Sequence, residues 1–334
     1  MLGIGIIGVG FYGRRHAEAI RKLPSAKLLA ASRTNERKLE KFCSDFQVKG
    51  YPNYKDLLKR DDIHAVVIAV PHHLHRKITI DAASANKHIL LEKPMAHTID
   101  DCKEINEVVS KAGINLMIGH NMRFFRSSIL GKQIIDSGEL GEPILGRSTI
   151  SKNWMTNNRK AWHLDANTGG GMLMTVGIHF IDVLSWLLNS QVESVRAQVL
   201  TKFHDQTADD IGLLFLQYEN GLTGTVTSIG YKTGVTEFLT EITCTNGILK
   251  IDHLGGVYIG KNEEWSLVSN SIVQYPEEEA LYIEWKTFLR SIVEKNSSPI
   301  SGAYGEHMVR IIEAAKWSSK KKQEIKLGEM EALY

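Results

Sequence analysis

The chain has 334 residues, 43% hydrophobic and 23% charged, which suits two domains of roughly 100 to 200 residues each and excludes disordered and fibrous classes. A net charge of +2 from 40 basic and 38 acidic side chains, with no long basic block, gives no electrostatic case for nucleic acid and leaves a small molecule as the expected partner. Three widely separated cysteines, Cys43, Cys102 and Cys244, fit neither a disulfide framework nor a metal-ligand set, and the expected setting is the reducing cytoplasm.

In chain order, the first 120 residues alternate short apolar strands with amphipathic stretches. Ile4 to Ile7, Lys27 to Ala31, Ala65 to Val70, His88 to Leu91 and Asn115 to Gly119 read as strands; Ala17 to Leu23, Glu36 to Phe46, His75 to Ala85 and Ile99 to Ala112 read as helices. That rhythm predicts an open parallel sheet, doubly wound by right-handed crossovers, in a Rossmann domain over 1–122. No signal-peptide pattern precedes it, and export is not expected. The apolar run Met172 to Leu188 carries His179 and Asp182, falls short of the ~20 apolar residues that span a bilayer, and reads as a buried helix; no membrane partner is expected.

From Val192 onward the strands follow one another through tight turns. Asn220-Gly221 separates Ile211-Tyr218 from Leu222-Ile229, and Asn246-Gly247 separates Phe238-Cys244 from Ile248-Ile251; both predict hairpins. Helices over Glu278 to Val293 and Tyr304 to Ser319 follow, and Lys320-Lys321-Lys322 reads as a solvated helix end. The second domain, 123–334, is expected to be α+β with a large, mostly antiparallel open sheet that binds substrate and joins copies of the chain. Apolar residues on both faces of its strands predict a homodimer or homotetramer through that sheet.

Gly8-Val9-Gly10-Phe11-Tyr12-Gly13 matches G-x-G-x-x-G between a strand and a helix, the context that gives the motif meaning. Gly8 serves the tight turn, Gly10 the approach of a pyrophosphate, and Gly13 the helix packing, while the helix N-terminus offers N–H groups to the phosphates. NAD-binding versions carry a carboxylate about 20 residues further on. Here the second strand ends Ser32-Arg33-Thr34, a hydroxyl and a guanidinium suited to a 2'-phosphate, with Arg37 one helical turn on. NADP is the expected cofactor and NAD the second choice.

Leu91-Glu92-Lys93-Pro94-Met95-Ala96, with the lead-in Ala69-Val70-Pro71-His72-His73-Leu74-His75 and Gly169-Gly170-Gly171 before Gly177-Ile178-His179-Phe180-Ile181-Asp182, resembles the glucose-fructose oxidoreductase, inositol dehydrogenase and rhizopine-catabolism (Gfo/Idh/MocA) family over essentially the whole chain. The resemblance implies hydride exchange between a nicotinamide and a hydroxyl or ketone carbon of a sugar, inositol or related polyol. It implies Lys93 and His179 as the proton-handling pair, a cis Lys93-Pro94 bond, and cofactor contacts from Phe11, Tyr12, Ala69, Pro71, His72, His75, Glu92, Lys93 and Pro94. An ammonium beside a cationic ring is expected to lose proton affinity, which suits Lys93 to such work.

On an ideal helix Thr175, His179 and Asp182 share one face, and Asp182 either orients His179 or pairs elsewhere. The family commonly has an aspartate at the position of Thr175, a departure that leaves the substrate and proton route open. His120 and Arg123, leaving the last Rossmann strand, either line the pocket or pair structurally. Asn157, Arg159, Trp162 and His163 precede the triple glycine as candidate substrate residues. His72, His73 and His75 lack a fourth ligand group, so no metal is expected. Two other readings are a glycosidase of the same family that uses its cofactor transiently, and a non-catalytic NADP sensor; the presence of Lys93 and His179 weighs against the sensor.

Overall fold

Apolar strands that alternate with half-buried helices have no stable arrangement except a sheet covered on both faces, and the first unit of the chain has that form. The structure, a computed structural model, describes residues 1–269 and 276–333; segment 270–275 and Tyr334, assigned by sequence to the second domain, lie outside the described residues. The N-terminal elements run β1 (Leu2–Ile7), α1 (Phe11–Arg21), β2 (Ala26–Ser32), α2 (Glu36–Phe46), β3 (Lys49–Tyr51), α3 (Tyr54–Leu58), β4 (Ala65–Ile68), α4 (His75–Ser84), β5 (His88–Glu92), α5 (Ile99–Ala112) and β6 (Leu116–Gly119). All six strands are parallel in the order β3-β2-β1-β4-β5-β6, so the strand order reverses between β1 and β4. Ligands of open α/β sheets bind outside the strand ends at such a reversal, and the glycine turn after β1 stands there.

The chain continues with α6 (Arg126–Asp136), β7 (Pro143–Asn153), α7 (Ile178–Leu187), β8 (Val192–Leu200), β9 (Ile211–Tyr218), β10 (Thr223–Tyr231), β11 (Glu237–Cys244), β12 (Gly247–Asp252), β13 (Gly256–Lys261), β14 (Glu264–Ser269), α8 (Pro276–Glu294), α9 (Gly302–Lys321) and β15 (Ile325–Lys326). Residues 277–307 belong with the first unit; the second comprises 122–276 and 308–334. In the first unit Trp285 and Phe288 of α8 are fully buried, and the Ile118 N–H donates to the Ile300 carbonyl at 2.9 Å, so returning chain covers the open edge of β6.

The second sheet has nine strands in the order β14-β13-β12-β11-β7-β10-β9-β8-β15. Both hairpins expected at Asn-Gly are present, β9 with β10 and β11 with β12. The chain order hides β7, which lies mid-sheet, parallel to β10 and antiparallel to β11. Helices α6 and α7 cover one face. A Cβ at Gly146 of β7 would stand 2.5 Å from the Leu184 side chain of α7, so glycine lets the Leu184 side chain pack closely on the strand. The other face is open and presents Leu213, Phe215 and Leu145 at 43%, 48% and 41% exposure.

The helix bounded by Ala166 and Leu187 is long and apolar enough to cross a membrane, yet 89% of its apolar window is buried within the fold, the pattern of a soluble core helix. Period-2 burial along β9 makes Leu216 core. Leu216→Ala is expected to lower unfolding free energy by about 2–5 kcal/mol in a urea titration.

Candidate functional site

The glycine turn is built by close approach. Gly8 has φ +100°, and a Cβ there would meet the Ala69 carbonyl oxygen at 2.3 Å; a Cβ at Gly13 would meet the Gly8 carbonyl oxygen at 2.1 Å. Gly10, by contrast, has open space where a Cβ would stand. Gly10 also caps α1 without a side-chain hydrogen bond, so the first-turn N–H groups have no side-chain acceptor there. A dinucleotide pyrophosphate fits these residues. Phe11 is exposed and Tyr12 half-buried, in edge-to-face contact with each other.

At the end of β2, Ser32 is buried and its carbonyl accepts from the Gly8 N–H at 3.0 Å. The Arg33 guanidinium donates through Nη1 to the Val9 carbonyl at 2.8 Å, which puts this cation against the glycine turn. Arg37 is exposed on α2.

The Lys93-Pro94 peptide is cis, and Glu92, Lys93 and Pro94 are all buried. His75 is fully buried with Nδ1 2.8 Å from the Pro94 carbonyl oxygen and Nε2 3.0 Å from the Val70 carbonyl oxygen, and burial holds its pKa below the usual histidine range. Its ring thus ties the segment after β4 to the turn after β5. His72 packs edge-to-face on His75, with Ala69 and Pro71 half-buried beside them in sequence. His120 is buried against Tyr304.

Sequence reasoning missed the support beneath this turn. The His16 Nε2 of α1 lies 2.8 Å from Glu92 Oε1, and the Trp285 indole N–H donates to His16 Nδ1 at 2.9 Å. With Nδ1 accepting, Nε2 carries the proton and donates to Glu92. Burial pushes the Glu92 carboxyl up, but the His16 hydrogen bond and the nearby Lys93 and His75 outweigh it and hold the pKa below the ordinary value. Glu284, also fully buried, has no hydrogen-bond partner for either carboxylate oxygen among the described residues. Burial first, then the Glu92 charge, raises its pKa well above normal. The readable signal was a carboxylate on the apolar stripe Leu281, Trp285, Phe288 of α8.

In the second unit, a π-helical turn over Leu173–Gly177 leads into α7. The wider turn shifts Thr175 out of the 3.6-residue phase assumed for a shared face with His179 and Asp182. Thr175 and His179 are each 7% exposed. Arg123 and Asp182 pair with each other. Arg123 donates from Nε at 2.9 Å and Nη2 at 2.7 Å to Asp182 Oδ1, and its guanidinium faces the Trp186 ring at 5.7 Å.

Of the segment before the triple glycine, Asn157 is exposed, Trp162 stacks on His163 at 3.6 Å, and Arg159 lies over the Trp154 ring at 4.2 Å while donating to the Trp154 carbonyl at 3.0 Å. Among the described residues no group of three or more His, Cys, Asp or Glu is placed to hold a metal ion.

Residues 2–120 match the family model for the NAD-binding Rossmann fold of the Gfo/Idh/MocA oxidoreductases, and 131–250 match the model for that family's C-terminal domain. The chain belongs to the Gfo/Idh/MocA family. It is 25% identical to the myo-inositol 2-dehydrogenase of Thermotoga maritima over 98% of this chain and 99% of that one. It is 30% identical to the glucose-6-phosphate 3-dehydrogenase of Bacillus subtilis over 66% of this chain and 65% of that one. Against the first curated relatives the matched region spans 58% to 65% of their length. An Agrobacterium radiobacter oxidoreductase, solved with NAD+, L-tartaric acid and magnesium, shares the fold with a TM-score of 0.90 at 20% identity, covering 98% of this chain and 99% of that one.

A group whose folded pKa is raised stabilises the fold fully below its unfolded pKa, about 4.3 for glutamate, and that contribution is lost as pH rises through the folded value. Glu284→Gln keeps the shape without the charge, so its melting temperature should rise above wild type as pH increases from 5 to 9; parallel curves would show that Glu284 does not titrate in that range.

Proposed function

We propose that the protein is an NAD(P)-dependent dehydrogenase or reductase that exchanges a hydride at a hydroxyl or ketone carbon of a sugar, inositol or related polyol. The observation that carries this reading is a buried lysine, Lys93, at the end of β5, in the same unit as a glycine turn shaped for a pyrophosphate. Relatives named for dehydrogenation of inositol and glucose 6-phosphate support the substrate class.

Gly8, Gly10 and Gly13 hold the phosphates by backbone N–H groups, flanked by Phe11 and Tyr12. NADP is the preferred cofactor and NAD the second: β2 ends in Ser32-Arg33 without a carboxylate, and the fork of Arg33 has five N–H donors, of which Val9 takes one. The bound nicotinamide supplies or accepts the hydride. Lys93 and His179 take the hydroxyl proton in oxidation and return it in reduction; a lysine ammonium also polarises a ketone oxygen. Arg159, Trp162, Asn157, Thr175 and His120 supply hydroxyl-binding groups, and Arg123, paired with Asp182, holds its part of the second unit in shape. With Thr175 in place of a carboxylate, His179 gains no added basicity from that position.

Separate titrations of NADPH and NADH, followed by a turnover screen of polyols and keto-sugars, test the reading. NADPH should bind more tightly, and Lys93→Ala should lower turnover by roughly a hundredfold or more with cofactor binding retained. Tighter NADH binding would remove the Ser32-Arg33 argument; undiminished turnover would remove Lys93 from the chemistry.

The open face of the second sheet joins copies of the chain into a homodimer or homotetramer, a reading that rests on the exposed Leu145, Leu213 and Phe215. Light scattering should give a multiple of the chain mass, and Phe215→Glu should shift it toward the monomer; a wild-type monomer would end the idea. The cysteine usage and a net charge of +2 fit work in the cytoplasm on a small molecule.

A further inference from the structure

The helix that carries His179 begins at a carboxylate. Asp209, in the loop before β9, is almost fully buried, and its Oδ2 accepts the Leu173 N–H at 2.7 Å while its backbone carbonyl accepts the Met172 N–H at 2.9 Å. The chain comes this close only because residue 171 is glycine: Gly171 has φ +108°, and a Cβ there would stand 2.2 Å from Asp209 Oδ1. Leu173 opens the π-helical turn, Thr175 lies within it, and His179 follows on α7.

The same aspartate is tied to the segment proposed to meet substrate. Gln206 Nε2 donates to the Asp209 carbonyl at 3.0 Å, the Trp154 indole N–H donates to Gln206 Oε1 at 3.0 Å, and Arg159 lies on Trp154. The Gly171 N–H donates to the His163 carbonyl at 2.9 Å. Trp154, Arg159, His163 and the start of the His179 helix are therefore one hydrogen-bonded assembly, in which the Asp209 carboxylate holds an N–H of the turn leading to His179.

We propose that Asp209 is the positioning residue for His179 and for the Arg159 to His163 segment: its carboxylate clamps the turn that opens the His179 helix, to which that segment is hydrogen-bonded, and taking up a proton loosens the clamp. A carboxylate accepts an N–H bond about twice as strongly as a neutral acid, and negative charge is favoured at a helix N-terminus. Burial lifts the Asp209 pKa to about 6; the Leu173 N–H and the Lys316 ammonium of α9 oppose the rise, and the adjoining Asp210 adds to it. Asp210 is itself held by the Lys202, Phe203 and His204 N–H groups and faced by the His204 ring at 3.3 Å, while Lys316 also meets Glu313 at 2.7 Å. The clamp is thus tight above about pH 6 and slack below it.

This inference rests on His179 acting in turnover, so His179→Ala is measured alongside. The first test needs no substrate. With leucine amides labelled by ¹⁵N and Leu173 assigned by Leu173→Met, the Leu173 amide proton should move downfield with a midpoint near pH 6, and the shift should vanish in Asp209→Asn. No inflection in the wild type, or one that survives in Asp209→Asn, overturns the proposal.

The second test is kinetic. Asp209→Asn keeps an acceptor of the same shape and should lower kcat/KM above pH 7 by roughly ten- to hundredfold, with the acid limb near pH 6 removed. Its melting temperature at pH 8 should equal or exceed that of wild type, because the raised pKa makes the Asp209 contribution full below about 4 and lost through about 6. An aspartate with a merely structural role would give a less stable variant with an unchanged pH profile. Loss of turnover in His179→Ala with an unaltered Asp209→Asn profile refutes the clamp alone; an active His179→Ala refutes the reading of the site itself.

Discussion

A carboxylate buried in a protein must be paired or neutralised, because its desolvation costs several kcal/mol. Glu92, which opens the turn that presents Lys93, meets this demand through His16, and His16 is fixed in turn by Trp285. The partners come from α1, β5 and α8, separated by up to 269 positions in sequence, so a single polar chain holds the glycine-turn helix, the lysine turn and the returning C-terminal helix together. Neither the glycine turn nor the lysine turn of the first unit can shift without uncovering a charge. His75 adds a second tie between the ends of β4 and β5.

The second unit solves a related problem differently. Asp209 is buried against the Leu173 N–H at the start of a helix, with no cation hydrogen-bonded to it among the described residues, and its pKa rises where that of Glu92 falls. The contrast follows from the partners: Glu92 receives the His16 Nε2–H bond with Lys93 nearby, while the Leu173 N–H offers Asp209 only part of what burial removes. Glu284, with neither kind of partner among the described residues, is pushed furthest toward the neutral acid. The surroundings thus shift three buried carboxyls differently, Glu92 down and Asp209 and Glu284 up.

The Rossmann unit was legible because each of its signals is local. The glycine spacing, the β-branched strands and the amphipathic helices are statements about a few consecutive residues, and the five expected strands are observed to within a residue or two, while the short edge strand β3 and helix α3 were not read from the sequence. The hairpins at Asn220-Gly221 and Asn246-Gly247 were legible for the same reason. Strand β7 was not. Its residues Gly146 and Ser148 are small where α7 and the neighbouring strands press closest, which erases the apolar alternation that marks a strand. The shared face of Thr175, His179 and Asp182 assumed 3.6 residues per turn, and the π-helical turn broke that phase.

What the sequence alone determined is the set of chemical parts: a phosphate-binding turn, a lysine before a proline, a histidine in an apolar helix, and a β2 end without a carboxylate. These depend on residue type and short spacing. Only the tertiary structure decided which polar groups hold those parts in place, since His16, Trp285, Asp209 and Gln206 have no local pattern and matter solely for what lies against them. Pairing across 76 or 269 positions follows from strand order and helix packing, and no property of a short window contains it.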